Sequence, residues 1–166
     1  MLLCSVGSVA YHQSVVVKNK MYLIGGNSLN SDPRIMHRLD LKTNFWETVS
    51  VKPAGELPEN MPESIDEHTA CMASDEDTVY TFGGFVNGQR SNLVHRFTIS
   101  TNTWELVAPA DPKAPTPLPR CGHSAVLYED KTLMVFGGKN DENEKMNDTW
   151  HFDVTDRVWT KLEFDN

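Results

Sequence analysis

Histidine is the residue type in this chain best suited to chemistry, because imidazole binds metals and exchanges protons near neutral pH. The six histidines fall into two sets at equivalent places along the chain: His12, His68 and His123, and then His37, His95 and His151. Equivalent places in successive repeats indicate repeated structural roles and lie far apart in the fold. The histidines therefore predict no metal site.

No sequence motif for catalysis accompanies these histidines. The chain has no Gly-x-Ser-x-Gly, Walker A, His-Glu-x-x-His or Gly-x-Gly-x-x-Gly segment. Glu144, Asp148 and His151 combine two carboxylates with an imidazole, but a strand puts the first and the last on opposite faces. We predict a protein that is not an enzyme, with no catalytic residue and no cofactor.

The elements that position the histidines recur with a period of about 55 residues. Each unit holds a histidine, an apolar run that closes on a glycine pair, and a tryptophan about twenty residues later. A fixed period of this size indicates stacked units, none of which can bury its apolar face alone. The pairs and tryptophans are Gly25 and Gly26, Gly83 and Gly84, Gly137 and Gly138, and Trp46, Trp104 and Trp159.

Each unit has the pattern of four short strands joined by polar turns. The first strand follows the histidine, and the second ends on the glycine pair. The third carries Leu39, Phe97 or Phe152, and the fourth carries the tryptophan seven residues later. Short β-branched and aromatic runs between turn residues are typical of strands. No segment has a helical period, so we expect an all-β protein with almost no helix.

This pattern resembles the kelch repeat. The resemblance rests on the glycine pairs, the third-strand residue, the tryptophans, the opening Arg120-Cys121-Gly122-His123-Ser124 and the linker at residues 53–58. It covers residues 11–162 and implies a kelch-type β-propeller, in which each repeat supplies one four-stranded antiparallel blade. In the first two units, Tyr11 and Glu67 replace the usual arginine context of the opening.

The number of repeats raises the question of how the propeller closes. Kelch propellers usually have roughly five to seven blades, whereas this chain encodes about three. An open propeller would expose apolar blade faces. We therefore predict a partial ring that is completed either by further blades of the same longer protein or by a homodimer with six blades.

The repeats also divide the chain into segments. Trp46, Trp104 and Trp159 are expected in the core. Trp150, where the other units offer Met36 and Val94, is either extra packing or a partly exposed contact for a partner. The predicted segments are 1–10 (an N-terminal segment available to pair with another blade), 11–50 (kelch repeat 1), 51–66 (linker), 67–107 (kelch repeat 2), 108–119 (linker) and 120–166 (kelch repeat 3).

Charge and cysteine content narrow the class of partner. A net charge of −8 disfavours nucleic acid and anionic membrane surfaces, both of which attract clustered Lys and Arg. No apolar run approaches the length of a membrane helix. The three cysteines, Cys4, Cys71 and Cys121, form no Cys-x-x-Cys, which fits a reducing compartment and predicts a cytoplasmic protein. We expect another protein as the partner.

Strand alternation places the loops after the second and fourth strands of each unit on one face. These loops are long and polar, and the two linkers among them are rich in proline. Functional residues concentrate in loops on a rigid scaffold. We expect a mostly acidic face that binds a basic or polar segment of another protein. The candidate partner-binding residues are Glu56, Glu59, Glu63, Arg90, Arg120, Asp141 and Glu142.

The kelch resemblance implies a noncatalytic scaffold or adaptor for protein–protein interaction. One alternative is a structural subunit of a large assembly, such as a cytoskeletal or ciliary one, whose neighbours supply the missing blades. Another is a metal-dependent enzyme of the specifier or oxidase type in the propeller mouth. Glu144, Asp148 and His151 fall one residue short of the iron signature of kelch-type specifier proteins. The tyrosine, cysteine and histidine set of kelch-like copper oxidases is not seen.

Overall fold

The computed structural model describes residues 6–28, 32 and 34–164 of the chain. Cys4 and the first half of the predicted N-terminal segment lie outside these residues. The described part is all-β, as predicted, and its only helical pieces are two 3-10 turns at Ala54–Glu56 and Pro58–Asn60. It contains no helix of the length and apolarity that crossing a bilayer requires.

Three antiparallel sheets, here called blades, follow one another along the chain. Blade 1 is formed by β1 (Gln13–Val17), β2 (Lys20–Ile24), β3 (Ile35–Asp40) and β4 (Phe45–Ser50). Residues 51–66 contain β5 (Lys52–Pro53) and β6 (Ile65–Asp66). Blade 2 is formed by β7 (Thr69–Met72), β8 (Thr78–Phe82), β11 (Val94–Thr98) and β12 (Thr103–Leu106). The loop between β8 and β11 contains β9 (Phe85–Val86) and β10 (Gln89–Arg90). Blade 3 is formed by β13 (Ser124–Tyr128), β14 (Thr132–Phe136), β15 (Thr149–Asp153) and β16 (Val158–Leu162).

The segment at residues 51–66 is more ordered than the predicted linker. β5 pairs in parallel with β12 and adds a fifth strand to the edge of blade 2, whose other strands are β7, β8, β11 and β12. β6 pairs with β9, and β9 forms a hairpin with β10. Asn87 and Gly88 turn this hairpin with φ values of 52° and 78°, the backbone that a two-residue Asn-Gly turn favours.

Two apolar cores lie between successive blades, and the first strands β1, β7 and β13 lie side by side. One core joins blades 1 and 2, and the other joins blades 2 and 3. The three sheets do not close into a ring, so the described chain forms part of a propeller. The members of the two cores include Val15, Tyr22, Ile24, Val79, Phe97 and Trp104, and then Tyr80, Phe82, Leu133, Phe152 and Trp159.

The constant step of seven residues to the tryptophan follows from strand pairing. Phe97 lies directly opposite Trp104, and Phe152 lies directly opposite Trp159, across hairpins with turns of equal length. Both pairs face the preceding blade, and their ring centroids are 5.0 and 4.9 Å apart. Trp104 and Trp159 are buried, as expected, whereas Trp46 is only half-buried because no described blade precedes it.

The third-strand histidines were expected at equivalent places in the three units, but His151 of blade 3 does not lie at the place of His37 and His95. His37 and His95 pair with the second strand at Leu23 and Thr81, and the residue at the corresponding place in blade 3 is Trp150, opposite Val135. The prediction that His151 occupies this place was wrong, because the segment before β15 is longer by one residue. Leu39 and Phe97 follow the second glycine of their pair by thirteen residues, whereas Phe152 follows it by fourteen.

Trp150 is therefore part of the blade 3 packing and not an exposed anchor. Its side chain is 8% exposed, and its ring meets that of Trp159 at 6.4 Å in an edge-on arrangement. The indole Nε1–H donates a hydrogen bond of 2.7 Å to Asp148. Of the two roles that the sequence left open, the packing role is confirmed.

The glycine pairs hold successive blades together. Gly26 and Gly84 donate their backbone N–H groups to carbonyl oxygens of the segments that lead into the next blade, Ile65 at 2.7 Å and Arg120 at 2.8 Å. A Cβ on Gly83, the first glycine of its pair, would lie 2.7 Å from Cε1 of the next histidine, His123. The absent side chain therefore makes room for the histidine of the following blade.

We predict that Gly84→Ala destabilises the protein more than Gly88→Ala. Both glycines have left-handed φ values, +75° and +78°, so each substitution costs about 1–2 kcal/mol of backbone strain. At Gly84 the added Cβ would also overlap the Asp66 carbonyl and lie 2.5 Å from the backbone nitrogen of His68, which adds roughly 1–3 kcal/mol. Urea unfolding measures both losses, and equal losses would contradict the packing role of the pair.

Candidate functional site

Two of the first-strand histidines, His68 and His123, are packed between blades, where burial favours the uncharged form of the ring. His68 and His123 are 1% and 9% exposed. Loss of hydration on burial lowers the pKa of His68 to about 3, with the neighbouring imidazoles adding to the shift, and it lowers the pKa of His123 to about 4. His123 Nε2 lies 3.0 Å from the Thr69 hydroxyl of blade 2. These histidines therefore join blades and are not open to solvent as acid–base groups.

The side chains that could serve as metal ligands lie apart from one another in the described residues. Among the residues that the structure describes, no three or more His, Cys, Asp or Glu side chains are grouped so that they could hold a metal ion. Glu144 accepts a hydrogen bond from Asn140, and Asp148 is bound by Arg120 and Trp150. His151 lies on β15 opposite Met134. The structure does not bring Glu144, Asp148 and His151 together as ligands.

Three equivalent residues line an opening beside the first strands. Tyr11, Glu67 and Gly122 each precede the first-strand histidine of their unit, and their φ values are 60°, 50° and 62°. They surround a cavity of about 250 Å³. Tyr11 is 61% exposed, so an aromatic ring and a carboxylate occupy places where the third unit has no side chain. From the sequence, Tyr11 and Glu67 were only departures from the kelch pattern, although their equivalent repeat positions could have marked them as candidate site residues.

The β9–β10 hairpin connects loops from two other segments of the chain. The Asn87 side-chain oxygen accepts hydrogen bonds from the backbone N–H groups of Glu63 and Ser64 at 3.0 and 3.1 Å. Arg90 donates to Asn143 at 2.6 Å and lies 3.8 Å from the Asp141 carboxylate. The hairpin therefore fixes the end of the 51–66 segment and the long loop of blade 3 beside each other.

We call this region the hairpin surface and define it by Glu63, Asn87, Arg90, Asp141 and Glu142. The three carboxylate residues are exposed. The Arg90 side chain is only 12% exposed, and its guanidinium lies over the Phe85 ring at 5.3 Å. The surface therefore presents acidic groups to solvent while its cation is held against the protein. Four of the seven predicted partner-binding residues, Glu63, Arg90, Asp141 and Glu142, lie together here.

Glu56 and Glu59 occupy a different part of the molecule. They lie in the two 3-10 turns, which pack against β12 at the outer edge of blade 2. Both residues are exposed. The sequence suggested that the acidic residues of the linker form one surface, but the structure divides them. The two 3-10 turns hold the first half of the linker against β12, and β6 carries its second half to the hairpin.

Arg120 has no exposed surface, so it is not available for the direct partner contact that the sequence suggested. Its guanidinium donates two hydrogen bonds to the Asp148 carboxylate at 2.8 and 2.9 Å and one to the Gly137 carbonyl at 2.9 Å. Arg120 lowers the pKa of Asp148 chiefly through this hydrogen bonding. Its role is internal to blade 3, where it holds the glycine pair and the start of β15 together.

Comparisons with known proteins agree with this architecture. The KLHDC2/KLHL20/DRC7 Kelch-repeats domain matches residues 11–166. Kelch domain-containing protein 3 of Bos taurus is 36% identical over 133 residues, which cover 78% of this chain and 32% of that protein. Kelch domain-containing protein 1 of Mus musculus is 28% identical over 127 residues, which cover 76% and 29% of the two chains.

A further relative is named after a different domain. Acyl-CoA-binding domain-containing protein 4 of Arabidopsis thaliana is 26% identical over 155 residues, which cover 92% of this chain and 23% of that protein. The chain therefore spans about a quarter to a third of the length of these relatives.

We predict that stability falls as the pH falls from neutrality to pH 4. The folded-state pKa values of His68, His95 and His123 are lowered to about 3, 4 and 4 from an ordinary 6.5. Between these values the unfolded chain binds protons that the folded chain excludes, so the free energy of unfolding decreases with decreasing pH. Each pKa unit corresponds to about 1.4 kcal/mol.

Urea unfolding at a series of pH values tests this dependence. His123→Gln retains a polar group beside Thr69 and is expected to flatten the slope between pH 6.5 and pH 4. His151→Gln, at a half-buried position on β15, is the matched comparison for the effect of the histidine-to-glutamine change itself. A wild-type slope in His123→Gln would contradict the role of histidine burial.

We also predict that Asp148→Asn destabilises the fold by about 3 kcal/mol, because it leaves the charge of Arg120 buried without its partner. Glu142→Gln, which changes an exposed carboxylate in the same loop, is expected to change stability by less than about 0.5 kcal/mol. Urea unfolding compares the two variants. Equal small effects would show that Arg120 does not need the carboxylate.

Proposed function

This chain belongs to the kelch-repeat family, and we propose that it acts as a noncatalytic scaffold or adaptor whose partner binds the long loops after the second and fourth strands of its blades. Proteins with kelch domains are generally protein-interaction modules without catalytic activity. The hairpin surface is the observation that carries the proposal. It joins loops from different segments into one exposed, acidic area on a rigid sheet.

The electrostatics of the hairpin surface support a basic partner. Glu63, Asp141 and Glu142 are exposed, whereas Arg90 is held by Phe85 and the neighbouring loop. Carboxylates arranged in this way attract a peptide rich in lysine or arginine and speed its encounter with the surface. We propose that such a segment of another protein binds here.

Tyr11 and Glu67, which line the opening beside the first strands, offer further groups that would bind such a segment. An exposed tyrosine ring next to a carboxylate suits a lysine or arginine side chain, since the ring face and the carboxylate both attract a cation. Cys71 and Cys121 are free thiols, which supports placing the protein in the cytoplasm as part of this proposal.

We predict that reversing three charges on the hairpin surface weakens the binding of a basic peptide. The variant Glu63→Lys, Asp141→Lys, Glu142→Lys removes the attraction and introduces repulsion. Exposed charge pairs are each worth about 0.2–1 kcal/mol, so we expect a loss of roughly tenfold in affinity. The salt dependence of the affinity should decrease as well. Fluorescence anisotropy with labelled lysine-rich and glutamate-rich peptides measures both quantities.

A matched variant carries the same change in net charge on the opposite loops. Glu76→Lys, Glu129→Lys, Asp156→Lys alters exposed residues in the short turns between first and second or third and fourth strands. We expect this control to retain the affinity more fully at every salt concentration. Equal losses in the two variants would mean that overall charge, and not the hairpin surface, governs binding. Glu56→Lys, Glu59→Lys tests the outer edge of blade 2 separately.

A further inference from the structure

Three buried polar side chains of blade 2 face blade 1, and we call them the polar cluster: His68, Thr81 and His95. Their exposed fractions are 1%, 0% and 2%. Both ring nitrogens of His68, the Thr81 hydroxyl oxygen and Nδ1 of His95 have no hydrogen-bond partner among the described residues. Because buried polar atoms are nearly always bonded to protein groups or to ordered water, the polar cluster requires partners beyond those that the described chain supplies.

Strand pairing brings these three side chains together. Thr81 lies directly opposite both His95 and Ala70, and Cβ atoms of such pairs are about 5 Å apart. His68 lies two residues before Ala70, so the alternation of a strand puts it on the same face, diagonal to Thr81. The His95 ring contributes to the lowered pKa of His68, as expected of close neighbours. His95 also meets the Trp104 ring edge-on at 6.3 Å, within the core that joins blades 1 and 2.

The contact between blades 2 and 3 is apolar at the places where the contact between blades 1 and 2 is polar. Val135 and Trp150 pair with each other on β14 and β15, as Thr81 and His95 do on β8 and β11. Both residues of blade 3 are buried, and the indole N–H of Trp150 is bonded to Asp148. Apolar side chains therefore suffice to pack one blade on the next, and packing alone does not call for the hydroxyl and imidazole of blade 2.

The histidines of the two contacts differ in the same way. His123 has the Thr69 hydroxyl of the preceding blade 3.0 Å from its Nε2. Gln13 stands at the place of Thr69 in the other contact, yet neither nitrogen of His68 has a partner among the described residues. His68 and Gln13 both line the opening of about 250 Å³ beside the first strands. That volume is several times the roughly 30 Å³ that a water molecule occupies in the liquid, so the opening has room for water beside His68.

The chemistry of the polar cluster suits water better than an ion. Burial lowers the pKa of His68 and His95 to about 3 and 4, so both rings are uncharged at neutral pH. Each neutral ring offers one N–H donor and one acceptor nitrogen, and the Thr81 hydroxyl offers both functions. The polar cluster contains no carboxylate that would hold a cation. A water molecule both donates and accepts hydrogen bonds and therefore matches this mixed set of groups.

We propose that the contact between blades 1 and 2 contains a binding site for water, in which bound water bridges the Thr81 hydroxyl to the rings of His68 and His95. The water reaches the site from the opening, along His68. It supplies the hydrogen bonds that His123 and Trp150 of the next contact receive from protein groups. This site is internal to the two blades and is independent of the peptide-binding role proposed above.

Thr81→Val tests the site through the sign of its effect, because it removes the hydroxyl and keeps the shape of the side chain. If water bonds the hydroxyl, the variant loses hydrogen bonds, and we expect the equilibrium constant for unfolding to rise roughly fivefold. A hydroxyl with no partner at all would give the opposite sign, since valine would remove a buried unpaired group. Urea unfolding of the 166-residue chain measures the constant. A variant as stable as the wild type, or more stable, would overturn the proposal.

Oxygen-17 magnetic relaxation dispersion detects the bound water directly, because it responds to water that stays in a protein for longer than the protein takes to rotate. We expect a dispersion in the wild-type chain that decreases in Thr81→Val. Thr81→Ser is the matched control, since it keeps the hydroxyl and should retain the dispersion. Circular dichroism checks the fold of both variants. A dispersion that Thr81→Val leaves unchanged, or that both variants reduce equally, would show that the hydroxyl does not hold water.

Discussion

The contact between a glycine pair and the next histidine is the constraint on which the rest of the structure depends. Because Gly83 has no side chain, the His123 ring can pack against its backbone, and the N–H of Gly84 can reach the Arg120 carbonyl. Both glycines have positive φ values that other residues adopt only with strain. One blade therefore fixes the next through backbone geometry, and the apolar cores between the blades follow from that placement.

This constraint explains why His68 and His123 are unsuited to acid–base chemistry and why the units differ most in their loops. A ring that fills the space at a glycine pair is buried, and burial lowers the pKa of His68 and His123 far below neutrality. The loops beyond the pair are free to change, since they do not contribute to the contact. The hairpin with Asn87 and Gly88 is one such variation. It turns two neighbouring loops into a surface.

The sequence predicted those features that depend on local pattern. The strands and the repeated places of the glycine pairs and tryptophans follow from alternation, turn residues and fixed spacing. The sequence failed where one residue shifts a register, as at His151, because pairing partners are not visible along a single chain. It also failed at Arg120, since burial of a guanidinium depends on the distant Asp148 carboxylate. The division of the acidic linker depends on β6 pairing with β9, a contact across twenty residues.

The uncovered face of blade 3 differs in kind from the faces that are covered within the chain. On the outer part of blades 1 and 2, arginine pairs with glutamate across the third and fourth strands, Arg38 with Glu47 and Arg96 with Glu105. The corresponding residues of blade 3 are His151 and Thr160, which form no such ion pair.

The face of blade 3 that points away from blade 2 thus lacks the arginine–glutamate pair that blades 1 and 2 carry. A face adapted to water would carry more charged groups than the covered faces, because a contiguous exposed apolar patch is unfavourable. Covering a valine or phenylalanine side chain contributes about 1.5–3 kcal/mol, so Val126 and Phe136 alone provide a substantial driving force for association. The apolar composition of this face suits contact with a further surface, and the described blades form part of a propeller ring.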